Sequence, residues 1–240
     1  MKSLLIAGLF AALSGNPIST EDINVISFNM DNSEKNIEAV SEMITSENPL
    51  IIGIQECPNQ GKTLKEKLVG YESTGEGSCQ IFYLKDALVL EKGKSINEKT
   101  YKASFRLQKS GRQFDVFNTV IGKADKGEAA QQILDATQKD KASLILGTIS
   151  HTPAGTFDKN RSNPNVVLCD TYSDGAYASI STDLTPTYHR YGERKGSVRD
   201  YIYYTKQLLG MHYKVLSKPY LDVKYLSDHY PIRDVVRFKN

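Results

Sequence analysis

The amino-acid sequence predicts an α/β fold in which two mixed β-sheets pack together and helices flank them. Three observations predict it. Segments rich in β-formers recur along most of the chain, two or three helical patterns separate them, and the first helical pattern lies between two buried strands. No internal repeat or linker is visible, so residues 22–240 are expected to form a single domain.

The first predicted unit is a parallel crossover. Residues 22–29 alternate in polarity and predict a strand that ends at Asn29. A helical pattern follows, with Ser33 as its predicted N-cap, and then a buried strand over residues 50–55. A strand, a helix and a strand in this order bring Asn29 and Glu56 to the same carboxyl-terminal edge of a sheet. Open α/β sheets bind their ligands at that edge.

The rest of the chain predicts further alternation of strands and helices. Short turn signals and β-rich composition indicate the strands, and apolar residues at helical spacing indicate the helices. The predicted helices cover residues 62–68 and 126–139. The predicted strands cover residues 79–84, 87–90, 102–107, 113–121, 143–146 and 166–170, with one more around Tyr188.

Composition narrows the class of protein but does not select a partner. A chain of 240 residues with 40% hydrophobic and 24% charged residues has the balance of a soluble globular protein that needs no disulfide to hold its core. A net charge of +2 gives no general electrostatic reason to expect a polyanion partner. Cys57, Cys79 and Cys169 lack metal-ligand spacing, and they allow at most one disulfide.

Residues 1–15 have the pattern of a secretory signal peptide. Lys2 supplies a positive start, an apolar run extends over residues 4–13, and Ala12-Leu13-Ser14 is a small-x-small cleavage pattern. The run is too short to anchor the chain in a bilayer. The alternative is a first strand or helix of the domain, although residues 22–29 already supply an opening strand. We therefore expect a protein that is secreted or enters the secretory pathway.

Two fragments near the end of the chain bring together groups that can bind a metal or move a proton. Asp200 lies within the apolar strand pattern of residues 198–204. Asp228 and His229 are adjacent in a turn that follows a further strand. Each fragment alone is weak evidence for a functional site, because an Asp-His pair in a turn is more often a cap or a surface hydrogen bond.

Read with residues 25–29 and 51–56, these fragments resemble the motifs of the endonuclease/exonuclease/phosphatase superfamily, in the superfamily's order. This superfamily includes DNase I, abasic-site endonucleases, neutral sphingomyelinases and inositol-polyphosphate 5-phosphatases. The resemblance spans residues 22–237. It implies a DNase I-like fold, a four-layer α-β-β-α sandwich, and Mg²⁺-dependent hydrolysis of a phosphate ester in a nucleic acid, a phospholipid or a phosphoinositide.

The resemblance also implies a role for each residue of the site. Glu56, Asp228 and Asn29 would hold Mg²⁺, or Mn²⁺ in its place, since such cations take few carboxylates and keep several waters. His229 would contact the scissile phosphate, and Asp200 would hold the histidine ring in its tautomer and orientation.

Two motifs of the superfamily are altered in this chain. Where members have Asn-Thr-His-Leu, the chain has Asn118-Thr119-Val120-Ile121, and where they have Gly-Asp-Phe-Asn, it has Gly147-Thr148-Ile149-Ser150. Val120 cannot donate a proton and Thr148 cannot act as a carboxylate base. Loss of a general base or an oxyanion donor costs on the order of 10² to 10⁴ in rate. Two hypotheses stay open: an enzyme with impaired turnover, and a pseudoenzyme that uses the same cleft for binding.

Three nearby side chains are candidate substitutes for the missing groups. His151 follows Ser150 directly, Asp125 lies just past the Val120 strand, and His189 lies in the loop before Asp200. For all three, a turn residue that faces solvent is the favoured interpretation.

The substrate side of the site is less defined. Asn118 and Ser150 of the altered motifs, with Arg190 and Arg199 of a basic loop, are the predicted substrate-binding residues. The basic loop can grip a phosphodiester or an anionic lipid head group, although a solvated loop explains it equally well. We expect a monomer whose ligand is a phosphate ester.

Overall fold

The computed structural model describes residues 22–155, 158–193 and 195–239. The signal peptide predicted over residues 1–15 lies outside the described residues, as does Arg194 of the basic loop. Within these three ranges, every helix is too short or too polar to span a membrane.

The described strands form two sheets. The strands are β1 (Asp22–Asn29), β2 (Ile51–Gln55), β3 (Tyr71–Glu76), β4 (Cys79–Leu84), β5 (Leu88–Asn97), β6 (Thr100–Leu107), β7 (Gln113–Ile121), β8 (Ala142–Ile149), β9 (Tyr172–Asp174), β10 (Asp200–Thr205), β11 (Leu208–Gly210), β12 (Lys214–Val215) and β13 (Ile232–Phe238). The first sheet has the order β11-β13-β1-β2-β4-β3, with β12 paired to β13, and the second has the order β5-β6-β7-β8-β10-β9.

The described residues form five helices, of which four cover the outer faces of the sheets and the fifth, which carries Ala176, packs against the cluster between the sheets. They are α1 (Ile37–Glu47), α2 (Lys62–Lys67), α3 (Gly127–Ala136), α4 (Pro164–Leu168) and α5 (Gly175–Ala178), with short 3₁₀ turns at Pro58–Gly61 and Arg190–Gly192. One apolar cluster lies between the sheets, a second lies between the first sheet and α1 and α2, and a third lies between the second sheet and α3 and α4. This is the predicted four-layer sandwich, and the fold class is confirmed.

Strand β1 illustrates why the layers form. Ile23 and Val25 belong to the cluster between the sheets, whereas Ile26 and Phe28 belong to the cluster under α1. Both faces of the strand are buried, because helices cover one face and the second sheet covers the other. The predicted crossover is also confirmed: β1 and β2 are parallel, with Asn29 opposite Gln55.

Some elements differ from the prediction for local reasons. The segment 166–170, predicted as a strand, is largely helical because Pro164 opens helix α4 and the Asn163 side chain accepts a hydrogen bond from the Asn165 N–H. Helix α1 has Asn36 as its N-cap, and the predicted cap Ser33 instead accepts from the Lys35 N–H. Around Tyr188 only isolated bridges form.

The pairing of the strands brings several strand ends together at one edge of the sandwich. Strands β7 and β8 are parallel, with Val120 opposite Thr148. Strand β10 runs antiparallel to β8, so its first residue, Asp200, also lies opposite Thr148. Gly53 permits the two sheets to approach closely here, since a Cβ at this position would lie 2.8 Å from the Cβ of Leu146.

Candidate active site

An unbroken chain of hydrogen bonds crosses from the first sheet to the second at this edge. Asn29 Nδ2 donates to Glu56 Oε1 (3.0 Å) and to Thr148 Oγ1 (3.1 Å). Thr148 Oγ1 donates to Asp200 Oδ1 (2.9 Å), and His229 Nδ1 donates to Asp200 Oδ2 (2.7 Å). The structure thus brings together four residues predicted from separate fragments of the sequence, and Thr148 joins them.

Four of these side chains lie at or next to strand ends, and His229 lies in the turn before β13. Asn29 ends β1, Thr148 is the next-to-last residue of β8, and Asp200 begins β10. Glu56 follows β2 with a φ of 48°, in the left-handed region that non-glycine residues rarely adopt. At that point the chain leaves the sheet, and the Glu56 carboxylate stays within reach of the Asn29 amide.

The Asp200 carboxylate sets the charge and orientation of the His229 ring. The ring is buried, which by itself would lower its pKa, but the Asp200 carboxylate at Nδ1 outweighs burial and the pKa of His229 is raised. The other ring nitrogen, Nε2, lies 3.7 Å from Asp228 Oδ1. A ring held in this way presents Nε2 to a ligand.

The carboxylates of the site repel one another. Burial raises the pKa of Asp228, and the negative charges of Asp31 and Glu56 add to the shift. A cation bound among these groups would relieve the repulsion. Across the described ranges no group of three His, Cys, Asp or Glu side chains is arranged to hold a metal. The carboxylates of Glu56 and Asp228 are hard oxygen ligands of the kind that Mg²⁺ takes while it keeps its waters. The amide oxygen of Asn29 also accepts a hydrogen bond from the Asp31 N–H (2.8 Å).

Comparison with solved structures identifies the architecture. An endonuclease/exonuclease/phosphatase family protein from Bacteroides thetaiotaomicron is similar with a TM-score of 0.79 at 19% identity, over 91% of this chain and 98% of that chain. The chain has the DNase I-like fold. No family model matches the sequence, and no curated protein matches it.

Two further solved structures with this fold are of a phosphatase and of a complex with a DNA product. A mannosyl-6-phosphatase from Bacteroides thetaiotaomicron is similar with a TM-score of 0.75 at 18% identity, over 90% of this chain and 100% of that chain. TDP2 from D. rerio, in complex with a single-strand DNA product, is similar with a TM-score of 0.68 at 14% identity, over 90% of this chain and 99% of that chain.

Thr187, which the sequence did not single out, holds two parts of the candidate site together. Its Oγ1 accepts hydrogen bonds from the backbone N–H groups of Arg199 and Asp200 (3.1 Å each). Its carbonyl oxygen accepts from the N–H of Tyr230, which directly follows His229 (2.8 Å). The loop before β10 thereby fixes the Asp200 backbone relative to the turn that carries His229.

Tyr188 connects a basic side chain to the histidine. The guanidinium of Arg199 lies 3.8 Å from the centre of the Tyr188 ring. The same ring lies 4.8 Å from the ring of His229, and a β-bridge pairs the two backbones. The predicted substrate-binding residue Arg199 and His229 therefore both contact the Tyr188 ring.

The second predicted arginine is placed differently. The backbone N–H of Arg190 donates to the carbonyl of Asp228 (3.1 Å), so the loop touches the site. The side chain is exposed and lies 3.6 Å from Glu193. Ser150 is half-buried at the end of β8, and its backbone N–H donates to the carbonyl of Ile121.

Asn118 is a correction to the sequence analysis. The side chain has no exposed surface. Its Nδ2 donates to the carbonyls of Ile54 and Gln80 (2.8 Å each), and its Oδ1 accepts from Gln55 Nε2 (2.6 Å). The amide ties the two sheets together and is not available to a substrate in this arrangement. Val120 is half-buried and packs on the cluster between the sheets.

His189 is a second correction, because it does not face solvent. Only 5% of the residue is exposed, and its ring lies between those of Tyr230 (3.9 Å) and Tyr225 (4.7 Å). Burial, with a contribution from the nearby His229, lowers the pKa of His189 to about 4. The ring is therefore neutral at pH 7, and it packs as an aromatic group under the Asp228 turn.

His151 and Asp125, the other two candidate substitutes, are only partly buried, and their partners lie outside the hydrogen-bond chain. His151 Nε2 lies 3.1 Å from the carbonyl oxygen of Gly122. Asp125 forms an ion pair with Lys99 (2.9 Å). Neither replaces the missing base.

Proposed function

We propose that this chain is a divergent member of the endonuclease/exonuclease/phosphatase superfamily that hydrolyses a phosphate ester slowly, with Mg²⁺ held by Glu56, Asp228 and Asn29. The observation that carries the proposal is the unbroken hydrogen-bond chain from Glu56 to His229. The DNase I-like fold supports it, together with the order of the motif fragments in the sequence.

The chain's own residues account for phosphate binding. Asp200 raises the pKa of His229, which favours the protonated ring, and His229 would present Nε2 to a phosphate oxygen. The guanidinium of Arg199, on the Tyr188 ring that also contacts His229, would add a positive charge. Bound Mg²⁺ would neutralise charge on the transferring phosphoryl group and generate a nucleophile from water.

The expected weakness is in proton abstraction. The Thr148 hydroxyl donates to Asp200 and accepts from Asn29, so it cannot remove a proton from a water molecule at neutral pH. Val120 offers no donor to the phosphate. With a base and a donor missing, we expect turnover reduced on the order of 10² to 10⁴ relative to a site that has them.

A second candidate function is binding without turnover. The observation that favours it is the placement of Thr148, whose hydroxyl is hydrogen-bonded on both sides at the position where a catalytic carboxylate would stand. A site of this kind retains the cationic groups for a phosphate and lacks the base. The ligand would then be a phosphate ester held as a signal or a scaffold.

The first experiment is a hydrolysis screen of the purified protein with and without Mg²⁺. The substrates are DNA, RNA, sphingomyelin, a phosphoinositide and a sugar phosphate. On each substrate, the hydrolysis rate of the parent protein is compared with the rates of the variants Glu56→Gln and His229→Asn. The matched control is Glu66→Gln, the same change at an exposed position on α2. We expect slow, Mg²⁺-dependent turnover that both site variants abolish and the control preserves.

Other outcomes separate the two functions. Binding of Mg²⁺ and phosphate without turnover selects the binding module. Absence of both binding and turnover overturns the proposal. In the binding case, the combined change Val120→His, Thr148→Asp and Ser150→Asn is expected to create measurable hydrolysis. A folded triple variant that stays inactive would count against the proposed geometry.

A further inference from the structure

A basic cleft lies at the edge of the sandwich opposite the candidate active site. Its cavity volume is about 930 Å³, and it lies where β7 and β8 begin and β10 and β13 end. Strand β8 runs from this cleft at Ala142 to Thr148 at the other edge, a distance of about 20 Å. The cleft is therefore separate from the Glu56–His229 chain.

The side chains of the cleft are strongly biased in charge. Five are cationic and one, Asp140, is acidic, which gives the lining a net charge of +4 against +2 for the whole chain. Concave walls of low dielectric concentrate such a field and attract anions. The cationic residues are Arg112, Lys139, Lys141, Lys206 and Lys239.

Part of this charge has no carboxylate partner within the part of the chain that the structure describes. Lys141 lies 2.6 Å from Asp115, but the same carboxylate is 2.8 Å from Lys102, so the three groups keep one positive charge. Among the described residues, Lys139 and Lys206 have no carboxylate within 4.0 Å. Two ammonium groups with three donors each are thus available to a ligand.

Hydrogen bonds fix the backbone segments that carry the lysines. Gln207 Nε2 donates to the carbonyl of Lys139 (2.9 Å), and the backbone N–H of Lys239 donates to the carbonyl of Gln207 (2.9 Å). Gln207 Oε1 is buried and has no hydrogen-bond partner among the described residues. The two hydrogen bonds of Gln207 hold the segments of Lys139 and Lys239 next to the segment of Lys206.

We propose that this cleft is a second anion site, which binds a compact molecule that carries several phosphate groups. Cations from four separate segments of the chain converge on one cavity, which suits closely spaced charges better than an extended strand. The inference does not depend on hydrolysis at the other edge.

Calorimetric titration with inorganic tripolyphosphate, without Mg²⁺ and at low salt, tests the proposal. The variant is Lys139→Gln with Lys206→Gln. The control is Lys62→Gln with Lys65→Gln, an equal loss of charge on the exposed face of α2. We expect the dissociation constant to rise about tenfold or more in the cleft variant and to stay unchanged in the control, with affinity falling as salt rises. Thermal melting establishes that both variants fold.

Each other outcome overturns the inference. Tripolyphosphate that does not bind, or that binds the cleft variant as tightly as the parent protein, excludes a polyphosphate site in the cleft. Binding that Arg199→Gln weakens and the cleft variant does not would belong to the candidate active site. A single-stranded oligonucleotide that binds through Lys139 and Lys206, where tripolyphosphate does not, would replace the compact ligand with an extended one.

Discussion

The hydroxyl of Thr148 donates a hydrogen bond to the carboxylate of Asp200 at 2.9 Å, and the two residues are register partners in β8 and β10. Thr148 also accepts from Asn29 of the first sheet. Both Thr148 and Asp200 are almost completely buried. Thr148 is therefore a structural link between the part of the candidate site that contains Asn29 and Glu56 and the part that contains Asp200 and His229.

Removal of this hydroxyl is expected to cost stability. Thr148→Val keeps the shape of the side chain but removes one hydrogen bond from the Asn29 amide and the hydrogen-bond donor to Asp200 Oδ1, which should lower the free energy of unfolding by about 1 to 3 kcal/mol. Thr148→Ser keeps the hydroxyl and is the control, with a smaller loss. Urea unfolding measures both, and equal losses in the two variants would contradict the role of the hydroxyl.

The ring of Tyr188 is expected to position Arg199 for anion binding. Tyr188→Ala removes the ring that stacks with Arg199 and His229, so the affinity for inorganic phosphate should fall by about 2- to 30-fold, the range of a cation–π contact. Tyr188→Phe keeps the ring and should bind as the parent protein does. Calorimetry in the Lys139→Gln/Lys206→Gln background measures phosphate binding at the candidate active site alone. Equal phosphate affinities of Tyr188→Ala and Tyr188→Phe would exclude a role of Tyr188 in positioning Arg199.

Asp234 is expected to make stability depend on pH. Its carboxyl is fully buried, accepts from Ser179 Oγ (2.6 Å) and the His212 N–H (3.1 Å), and burial raises its pKa to about 7. Between about pH 4 and 7 the folded state keeps a proton that the unfolded state releases, so the free energy of unfolding falls as pH rises through this window.

The variant Asp234→Asn should remove that dependence. Relative to the parent protein, its free energy of unfolding should rise between pH 4 and pH 8 by about 2 to 4 kcal/mol. Asp86→Asn, the same change at an exposed position, is the control and should track the parent protein at every pH. Chemical unfolding at a series of pH values makes the comparison, and parallel curves for parent and Asp234→Asn would refute the prediction.

The cysteines are expected to stay reduced. Cys57 packs in the cluster under α1 and α2, whereas Cys79 packs in the cluster between the sheets, so their thiols lie on opposite sides of the first sheet. Burial raises the pKa of both to about 12, which suppresses the reactive thiolate. A thiol reagent should modify only the exposed Cys169 in the folded protein and all three cysteines after denaturation.

Two checks complete this prediction. Cys169→Ser should leave no rapidly reacting thiol in the folded protein. Detection of a single thiol after denaturation under non-reducing conditions would reveal a disulfide and contradict the placement of Cys57 and Cys79.

The main elements were predictable because each depends on neighbours in sequence. Strands β1, β4 and β7 follow local alternation and β-rich composition, and their bounds match the prediction. The exceptions have no such local signal. Strand β3 is a half-exposed edge strand without an apolar pattern. The segment of helix α4 is an apolar run that resembles a strand unless Asn163-Pro164 is recognised as a helix start.

The sequence by itself determined the fold class, the crossover that brings Asn29 and Glu56 together, and the pairing of motif fragments that places Asp200 beside His229. Only the tertiary structure decided that Asn118 is bound between the sheets, that His189 is buried, and that Thr187 holds the site from outside its motifs. These contacts join residues far apart in the chain across layer boundaries. Local periodicity reports which face of an element is buried, but not which distant polar group meets it there.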